Sequence, residues 1–539
     1  MEDPRKPDLI RHAVLLVLTA LAPAGVRAQD RTAGDSLPPV IQSIRLQRVN
    51  IFADSEATFF LPRLANRFHV TTRAEVIRHE LLFREGEVYD SARIAESARN
   101  LRALRVFRSV HIDSATVDSA LTVQVRTQDA WSSKPGFGFR STGGQVAWRA
   151  TLVEENLFGT ASQLAMGYSK DPDRSTFLFG LRRPRLIANT IGLGLLYQDR
   201  SDGHLLGGTL YRPFLSFADQ YAWSVGLDSR NERILRYFEG AQLPSDTLQR
   251  DLGAVGTSVG WAIRSTSRDY QRLGISGRLW QDQYVRADSL FGNLHAVGTL
   301  GATWEWKHAR YLIVRGFSTT REEDVDLSTS VQVGLAVSPT WFGFEDHGVT
   351  PSVSARIGGV LARRTFGYLD INANGRFTSA GLDSGAVQIG ATALYGPAER
   401  HSFVAHAWAG WLDNPRPGGE FDLGLGIGPR GFRLHAFSGD RGVFSSVEYR
   451  YLFATDFLKV LDLGLAGFVD YGGAWYAGSK RRTGWDTGIG IRLNPSRSTD
   501  QMMTRIDLVY RARGDTDPAG WLIVIGRGLV FSTSGILNR

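Results

Sequence analysis

The sequence predicts a mainly β protein: a sixteen-stranded transmembrane antiparallel barrel behind one small N-terminal α/β domain. Three observations predict it. Segments of roughly ten residues, apolar on one face and small, polar or charged on the other, recur from Lys134 onwards. Helical spacing of apolar residues is confined to the stretch 40–127 ahead of them. No segment after the N-terminus has the length of about twenty apolar residues that a spanning helix needs, and helices and closed barrels alone satisfy the backbone in lipid.

Composition agrees. The 539 residues carry a net charge of +8 with both signs well mixed, so there is no basic stripe for nucleic acid. The absence of cysteine removes disulfides, thiolate metal sites, a cysteine nucleophile and a lipid-anchor cysteine. Fifty-nine glycines and 11% aromatics suit many short strands. At the N-terminus, Arg5, Lys6 and Arg11 precede the apolar run Ala13–Ala22, and Val26-Arg27-Ala28 forms a small-residue cleavage site. Residues 1–28 therefore read as a secretory signal peptide; the run is too short for a spanning anchor. Residues 29–39, ending in Pro38-Pro39, read as a linker.

The unit 40–128 orders as strand, helix, helix, strand, strand. Ile41, Ile44, Leu46, Val49 and Ile51 mark the first strand. Val76, Ile77, Leu81 and Leu82 lie at helical spacing within 70–83, with Thr72 placed to cap; Gly86 ends that helix, and Asp90 caps a second, carrying Ile94, Ala98, Leu101 and Leu104. Strands around 106–115 and 121–126 follow. The connection 52–70 is long.

The barrel is expected over 134–531, with a tail at 532–539. Leu164, Met166 and Tyr168 alternate with polar or small neighbours; so do Val331 to Val337, Trp485 to Leu493 and Ile506 to Tyr510. A soluble sandwich also alternates. The unbroken length, the polar face suited to a wet lumen, and Tyr and Trp near segment ends favour the barrel. At about 25 residues per strand with its connection, the span holds sixteen strands, an even number.

At Gly428-Pro429-Arg430-Gly431-Phe432 the sequence resembles a superfamily of outer-membrane barrels: BamA-like and TamA-like assembly factors, FhaC-like two-partner secretion transporters and bacterial surface antigens. The resemblance implies that Arg430-Gly431-Phe432 tips a sixth extracellular loop folded back into the lumen; Pro429 departs from the usual valine or leucine. It implies five following strands, here about 441–452, 461–471, 484–493, 502–511 and 520–531. Phe468-Val469-Asp470-Tyr471-Gly472 matches a Phe-x-Asp-x-Gly pattern in the second of them, and Glu448 an inward acid in the first. Asn156-Leu157-Phe158-Gly159 resembles the turn between the second and third barrel strands, and Pro184 and Pro213 fall where later periplasmic turns hold a proline. The front unit is similar to a POTRA domain, through Phe83 to Asp90 and Leu101 to Val110. One such domain, and no plug helix ahead of it, leans towards an assembly factor over a secretion transporter.

Strand parity adds an independent expectation. Leu461, Leu463, Leu465, Val469 and Tyr471 share one face, and so do Val443, Val447, Tyr449 and Tyr451. Asp470, Glu448 and Arg450 then face the lumen. Neighbouring inward carboxylates repel unless a cation lies between them, and an arginine offers a planar fork of donors. Arg430 is therefore expected to bridge Asp470 and Glu448, with Gly431 passing close to the wall and Phe432 on small lumen residues. The alternative is a solvated Arg430 above a wet pore.

The resemblance implies a client β-strand joining a weak seam between the first strand, about 136–141, and the last, where Gly526 and Gly528 precede Phe531. Those glycines equally suit relief of crowding in a curved sheet. The POTRA edge offers a second docking strand. The expected setting is the outer membrane, with the POTRA domain in the periplasm; partners are the lipid bilayer, unfolded outer-membrane or secreted polypeptides, and periplasmic proteins. The competing function is a passive pore or surface antigen without a client, with an adhesin a third. No enzyme, metal or cofactor is expected. Gly256-Thr257-Ser258-Val259-Gly260 mimics a serine-hydrolase elbow but lies among alternating strand residues; Gly424 to Gly428 lacks the helix of a dinucleotide loop; no histidine pair has ligand spacing.

Overall fold

The computed structural model describes residues 39–527 except 58–59, 118–119, 143–144, 188–189, 217–218, 267, 288, 316–321, 425–426, 498–502, 513 and 515–516. The expected signal peptide at 1–28, the linker up to Pro38, Gly528, Phe531 and the tail 532–539 lie outside the described residues.

The N-terminal domain runs β1 (Ile41–Val49), α1 (Phe60–Phe68), α2 (Ala74–Glu80), α3 (Ser91–Ala103), β2 (Phe107–Val117) and β3 (Ala120–Asp129). β3 is central, parallel to β1 and antiparallel to β2. Ile41, Ile77, Phe83, Leu101, Val106, Val123 and Val125 form its core. Asp90 caps α3 by accepting from the amides of Ala92 and Arg93, which satisfies two of the orphan N–H groups of its first turn. Two expectations change. The long connection folds its own helix, α1. Thr72 does not cap α2, whose N-cap is Arg73 without a side-chain bond; the Thr72 hydroxyl instead donates to buried Asp129 at 3.0 Å.

The barrel strands are β4 (Ser133–Thr142), β5 (Gln145–Leu157), β6 (Ser162–Lys170), β7 (Ser175–Ile187), β8 (Ile191–Arg200), β9 (Gly203–Arg212), β10 (Tyr221–Arg236), β11 (Asp246–Ser265), β12 (Asp269–Arg286) and β13 (Ser289–His308). A small hairpin, β14 (Tyr311–Arg315) and β15 (Glu322–Asp326), precedes β16 (Thr329–Ser338), β17 (Gly348–Ala362), β18 (Thr365–Thr378), β19 (Gly381–Ala398) and β20 (His401–Asp413). A second, β21 (Phe421–Leu423) and β22 (Phe437–Gly439), precedes β23 (Arg441–Phe457), β24 (Leu461–Trp475), β25 (Gly484–Pro495), β26 (Thr504–Arg511) and β27 (Gly520–Arg527).

Leaving out the two hairpins, twenty strands close into one antiparallel barrel, with β27 beside β4. The expectation of sixteen is thus corrected. Many connections are tight turns, as at 200–203, 378–381 and 398–401, so the repeat is about 20 residues and not 25. Five strands follow the Arg430 loop as expected; the four additional strands all precede it, making that loop the eighth at its end of the barrel and not the sixth. Pro184 lies inside β7 and not in a turn. It sits beyond the stretch paired with β6 and within an irregularity against β8, where no ladder bond needs its missing N–H. Pro213 directly follows β9.

Parity holds along the strands. Val447, Leu465, Val469, Ile489 and Ile523 face outward and exposed, whereas Glu448, Asp470, Arg492 and Asp507 are buried inside. The serine-hydrolase mimic lies within β11, where Ser258 faces Ser224 across the ladder.

The N-terminal domain docks on one end of the barrel, here the near end. Arg185 makes two bonds to buried Glu80 at 2.9 and 3.1 Å, and Arg102 two to Asp324 at 2.6 and 3.1 Å. Val314, Val325 and Leu327, in and after the β14–β15 hairpin, pack with Phe366, Leu394 and Trp408 in an apolar lumen cluster. Arg185→Ala strands the Glu80 carboxylate in a buried site and should cost about 3 kcal/mol of domain stability. Arg102→Ala, at a partly exposed pair, should cost under about 1 kcal/mol. Thermal unfolding of the two variants checks the order; equal losses would contradict it.

Candidate functional site

The far-end loop between β20 and β23 turns back into the barrel. The β21–β22 hairpin narrows it, and its tip carries Gly428 to Phe432; Gly428 has φ +105°, a left-handed conformation that glycine adopts without strain. Arg430 is 3% exposed. Its Nε and Nη2 donate to the two carboxylate oxygens of Asp470 at 2.6 and 3.1 Å. Nη1 donates to Glu448 at 3.2 Å and to Asp507 at 3.1 Å. The guanidinium lies over the Phe468 ring, 3.5 Å from its centroid. The structure therefore brings Arg430, Glu448 and Asp470 into direct contact.

Sequence reasoning missed half of the cluster. Asp507, Asp486, Arg492, Arg505 and Arg511 complete it. Arg492 bonds both Glu448, at 2.9 and 3.0 Å, and Asp507, at 2.6 Å; Arg505 reaches Asp507 at 3.2 Å, and Arg450 reaches Glu448 at 2.7 Å. Four guanidiniums thus face three buried carboxylates, with Ser446 donating to Asp470 at 2.7 Å. Parity in β25 and β26 carried the signal, since all of these residues occupy the inward face.

Gly431 and Phe432 complete the tip. The Gly431 amide donates to Asp486 at 2.8 Å, and its carbonyl accepts from Arg511 at 3.1 Å. A Cβ on Gly431 would lie 3.1 Å from Asp486 Cβ and 3.2 Å from Val509, so a larger side chain pushes the loop off the wall. Phe432 is fully buried and seats its ring on Gly484, where a Cβ would overlap it, and beside Phe437 with centroids 5.0 Å apart.

The same loop reaches the opposite wall. Arg236 donates to Glu420 at 2.9 Å, Arg416 to Asp282 at 3.2 Å, and Arg433 to the Ala241 carbonyl at 3.1 Å. His435 stacks on Tyr237, with centroids 3.9 Å apart and planes 10° from parallel, and lies 2.7 Å from both Asp173 and Asp422. Burial alone would depress the His435 pKa; its bonds to the two aspartates outweigh that and raise it to about 9. The loop spans the lumen, fixed by charge on both sides.

The turn motif serves another contact. Asn156 donates to the Val70 carbonyl at 3.3 Å and to the Thr72 hydroxyl at 2.9 Å, while its own carbonyl accepts from Ala161. Gly159, with φ +72°, lets its carbonyl receive the Arg73 amide at 3.0 Å. Phe158 is exposed and Leu157 ends β5. The motif joins barrel to N-terminal domain.

At the seam, β27 and β4 share one registered pair among the described residues, Val524 with Arg140, against eight between β26 and β27 and ten between β4 and β5. Gly526 leaves room for the Arg505 guanidinium, whose nitrogen would be 2.9 Å from an added Cβ, which favours relief of crowding as its role.

No protein-family profile matches the chain. Over 136 residues it is 28% identical to the outer membrane protein assembly factor BamA of Neorickettsia risticii (strain Illinois), covering 24% of this chain and 18% of that protein's length. Among solved structures it is similar to CdiB from Escherichia coli, at 12% identity over 98% of this chain and 99% of that one, with a TM-score of 0.45. BamA from Haemophilus ducreyi lacking POTRA domains 1–3 matches at 10% identity over 91% and 84%, with a TM-score of 0.38.

Arg430→Ala leaves Asp470 buried without its principal cation and should destabilise the folded loop by about 3–5 kcal/mol. Arg430→Lys should recover only part, because an ammonium cannot make the two-pronged bond. Limited proteolysis of the far-end loop reads both; a loop as resistant in Arg430→Ala as in the parent contradicts this. The His435 contact has its own pH signature. Its folded pKa is raised from 6.5 to about 9, so its stabilisation is complete below about pH 6.5 and is lost as pH rises through about 9. Loop protection should fall over that window and stay flat there in His435→Gln.

Proposed function

We propose that this BamA/TamA-like chain works in an outer membrane as an insertion or translocation factor for polypeptides, with its N-terminal domain acting as a periplasmic POTRA domain. The observation that carries the reading is the seam. A barrel whose other neighbouring strands are zipped by long ladders has its first and last strands joined at Val524 and Arg140 alone among the described residues. Unpaired backbone N–H and C=O groups at such an edge are a template for an incoming β-strand. The local identity to an outer membrane protein assembly factor supports the same reading.

The loop across the lumen bears on transport, although a cavity of about 1000 Å³ lined by Arg182, Gln198, Arg200, Arg230 and Arg250 remains beside it. Arg430 on one wall and His435 on the other hold the loop across the barrel, and the β14–β15 hairpin packs into the same apolar cluster from the near end. A lumen crossed by its own loop from wall to wall suits lateral handling of a strand at the wall more than free passage of solutes. The proposed clients are unfolded outer-membrane or secreted chains, taken up at the sheet edge of the N-terminal domain and at the barrel seam.

The chain has no cysteine, so a pair introduced as Arg140→Cys and Val524→Cys is unique. In proteoliposomes, oxidation of that pair should abolish insertion of an unfolded barrel client, and reductant should restore it. Undiminished insertion by the oxidised protein overturns the reading.

A further inference from the structure

Helix α1 has no role in the reading above. We infer that it is a membrane-surface anchor lying under the β4–β27 seam, with anionic phospholipid headgroups as its ligand; this rests on the barrel lying in a bilayer.

Its position comes first. On its N-terminal side, Glu56 accepts from Arg497, just after β25, at 3.0 Å. On its C-terminal side, the Val70 carbonyl and the Thr72 hydroxyl are held by Asn156 at the end of β5. In barrel order β26, β27, β4 and β5 run between those two anchor points, so the segment carrying α1 is tied down on both sides of the seam. His69, immediately after the helix, is fixed by Asp129 at 2.9 Å.

The faces of the segment come second. Ala65 packs inward with Ile51 and Phe52. Phe60 and Phe68 are 70% and 75% exposed. Arg63 and Arg67 are exposed on the same side, at the i, i+3, i+7 and i+8 spacing of one helical face. Val70 and, in the adjoining turn, Phe158 extend the exposed apolar surface to the barrel rim. Residues 60–68 hold no acidic side chain. Aromatic rings beside arginines at the edge of a lipid-facing wall match an interfacial helix: rings enter the boundary between headgroup and acyl chain, and guanidiniums reach up to phosphate. An ordinary solvated helix face has no use for two phenylalanines open to water where the bilayer begins.

Because the protein lacks cysteine, one nitroxide reports one site. The full chain is reconstituted in phosphatidylethanolamine–phosphatidylglycerol vesicles with a label at Phe68→Cys. Ile489→Cys, on the outer face of β25, serves as the lipid reference, and Asp113→Cys, exposed on β2, as the water reference. The Phe68 label should be more accessible to oxygen than to a nickel chelate, as at Ile489, and Arg63→Glu with Arg67→Glu should lower that ratio several-fold. A Phe68 label as water-exposed as the Asp113 label, with Ile489 in lipid, overturns the anchor alone. A label at Ile489 in water overturns the bilayer reading and the anchor with it. Shielding of Phe68 only after an unfolded barrel polypeptide is added overturns the lipid assignment in favour of a polypeptide partner.

Discussion

A guanidinium buried among carboxylates organises this molecule. Neither partner is tolerable alone: an uncompensated buried charge costs several kcal/mol, and one removed partner exposes the other to that cost. Asp470, Glu448 and Asp507 project from three different strands, so their mutual repulsion is relieved only when something cationic enters the space between them. Arg430 enters from a loop, and with it come the Gly431 backbone and the Phe432 ring. The loop's folded-back path is therefore a consequence of charge placed on the walls. Arg492, Arg505 and Arg450 distribute the compensation, so the cluster is a network and not an isolated pair.

The opposite wall uses different chemistry for the same end. His435 between two aspartates and stacked on Tyr237 is a titratable clasp, whereas Arg430 stays charged at any physiological pH. A loop held by one permanent and one titratable contact can release one wall before the other. The near-end hairpin adds apolar packing through Val314, Val325 and Leu327, and is itself held by Arg102–Asp324 and Lys307–Asp326. Together they leave the β4–β27 junction, with one registered pair among the described residues, as the shortest ladder of the barrel wall.

The N-terminal domain is held to the barrel by several directional contacts, and by Ala161 of the β5–β6 turn, which packs into the domain's apolar core. Asn156 reads two groups of the segment entering α2, Arg185 pairs with buried Glu80, and Arg497 holds the segment before α1. These contacts fix the domain's orientation relative to the β4–β27 seam.

Much of this was legible in the residues because period-two patterning and charge parity are local properties. The alternation in 461–471 and 443–451 placed Asp470 and Glu448 inside, and an arginine at Arg430 was the natural counter-ion. The number of strands was not legible. It depends on how tight each turn is, and turns of two residues at 200–203 or 378–381 leave no long polar stretch to mark them. Helix α1 was not legible because its two phenylalanines point outward and little more than Ala65 packs inward, against the pattern of a core helix. Thr72 looked like a cap from spacing alone, but its hydroxyl answers to Asp129 and Asn156, residues distant in sequence. The sequence by itself determined which face of each strand meets lipid and which charges face inward. Only the tertiary structure decided how many strands close the ring, which carboxylates share Arg430, and what the Asn156 turn holds, because each of these depends on segments brought together from far apart in the chain.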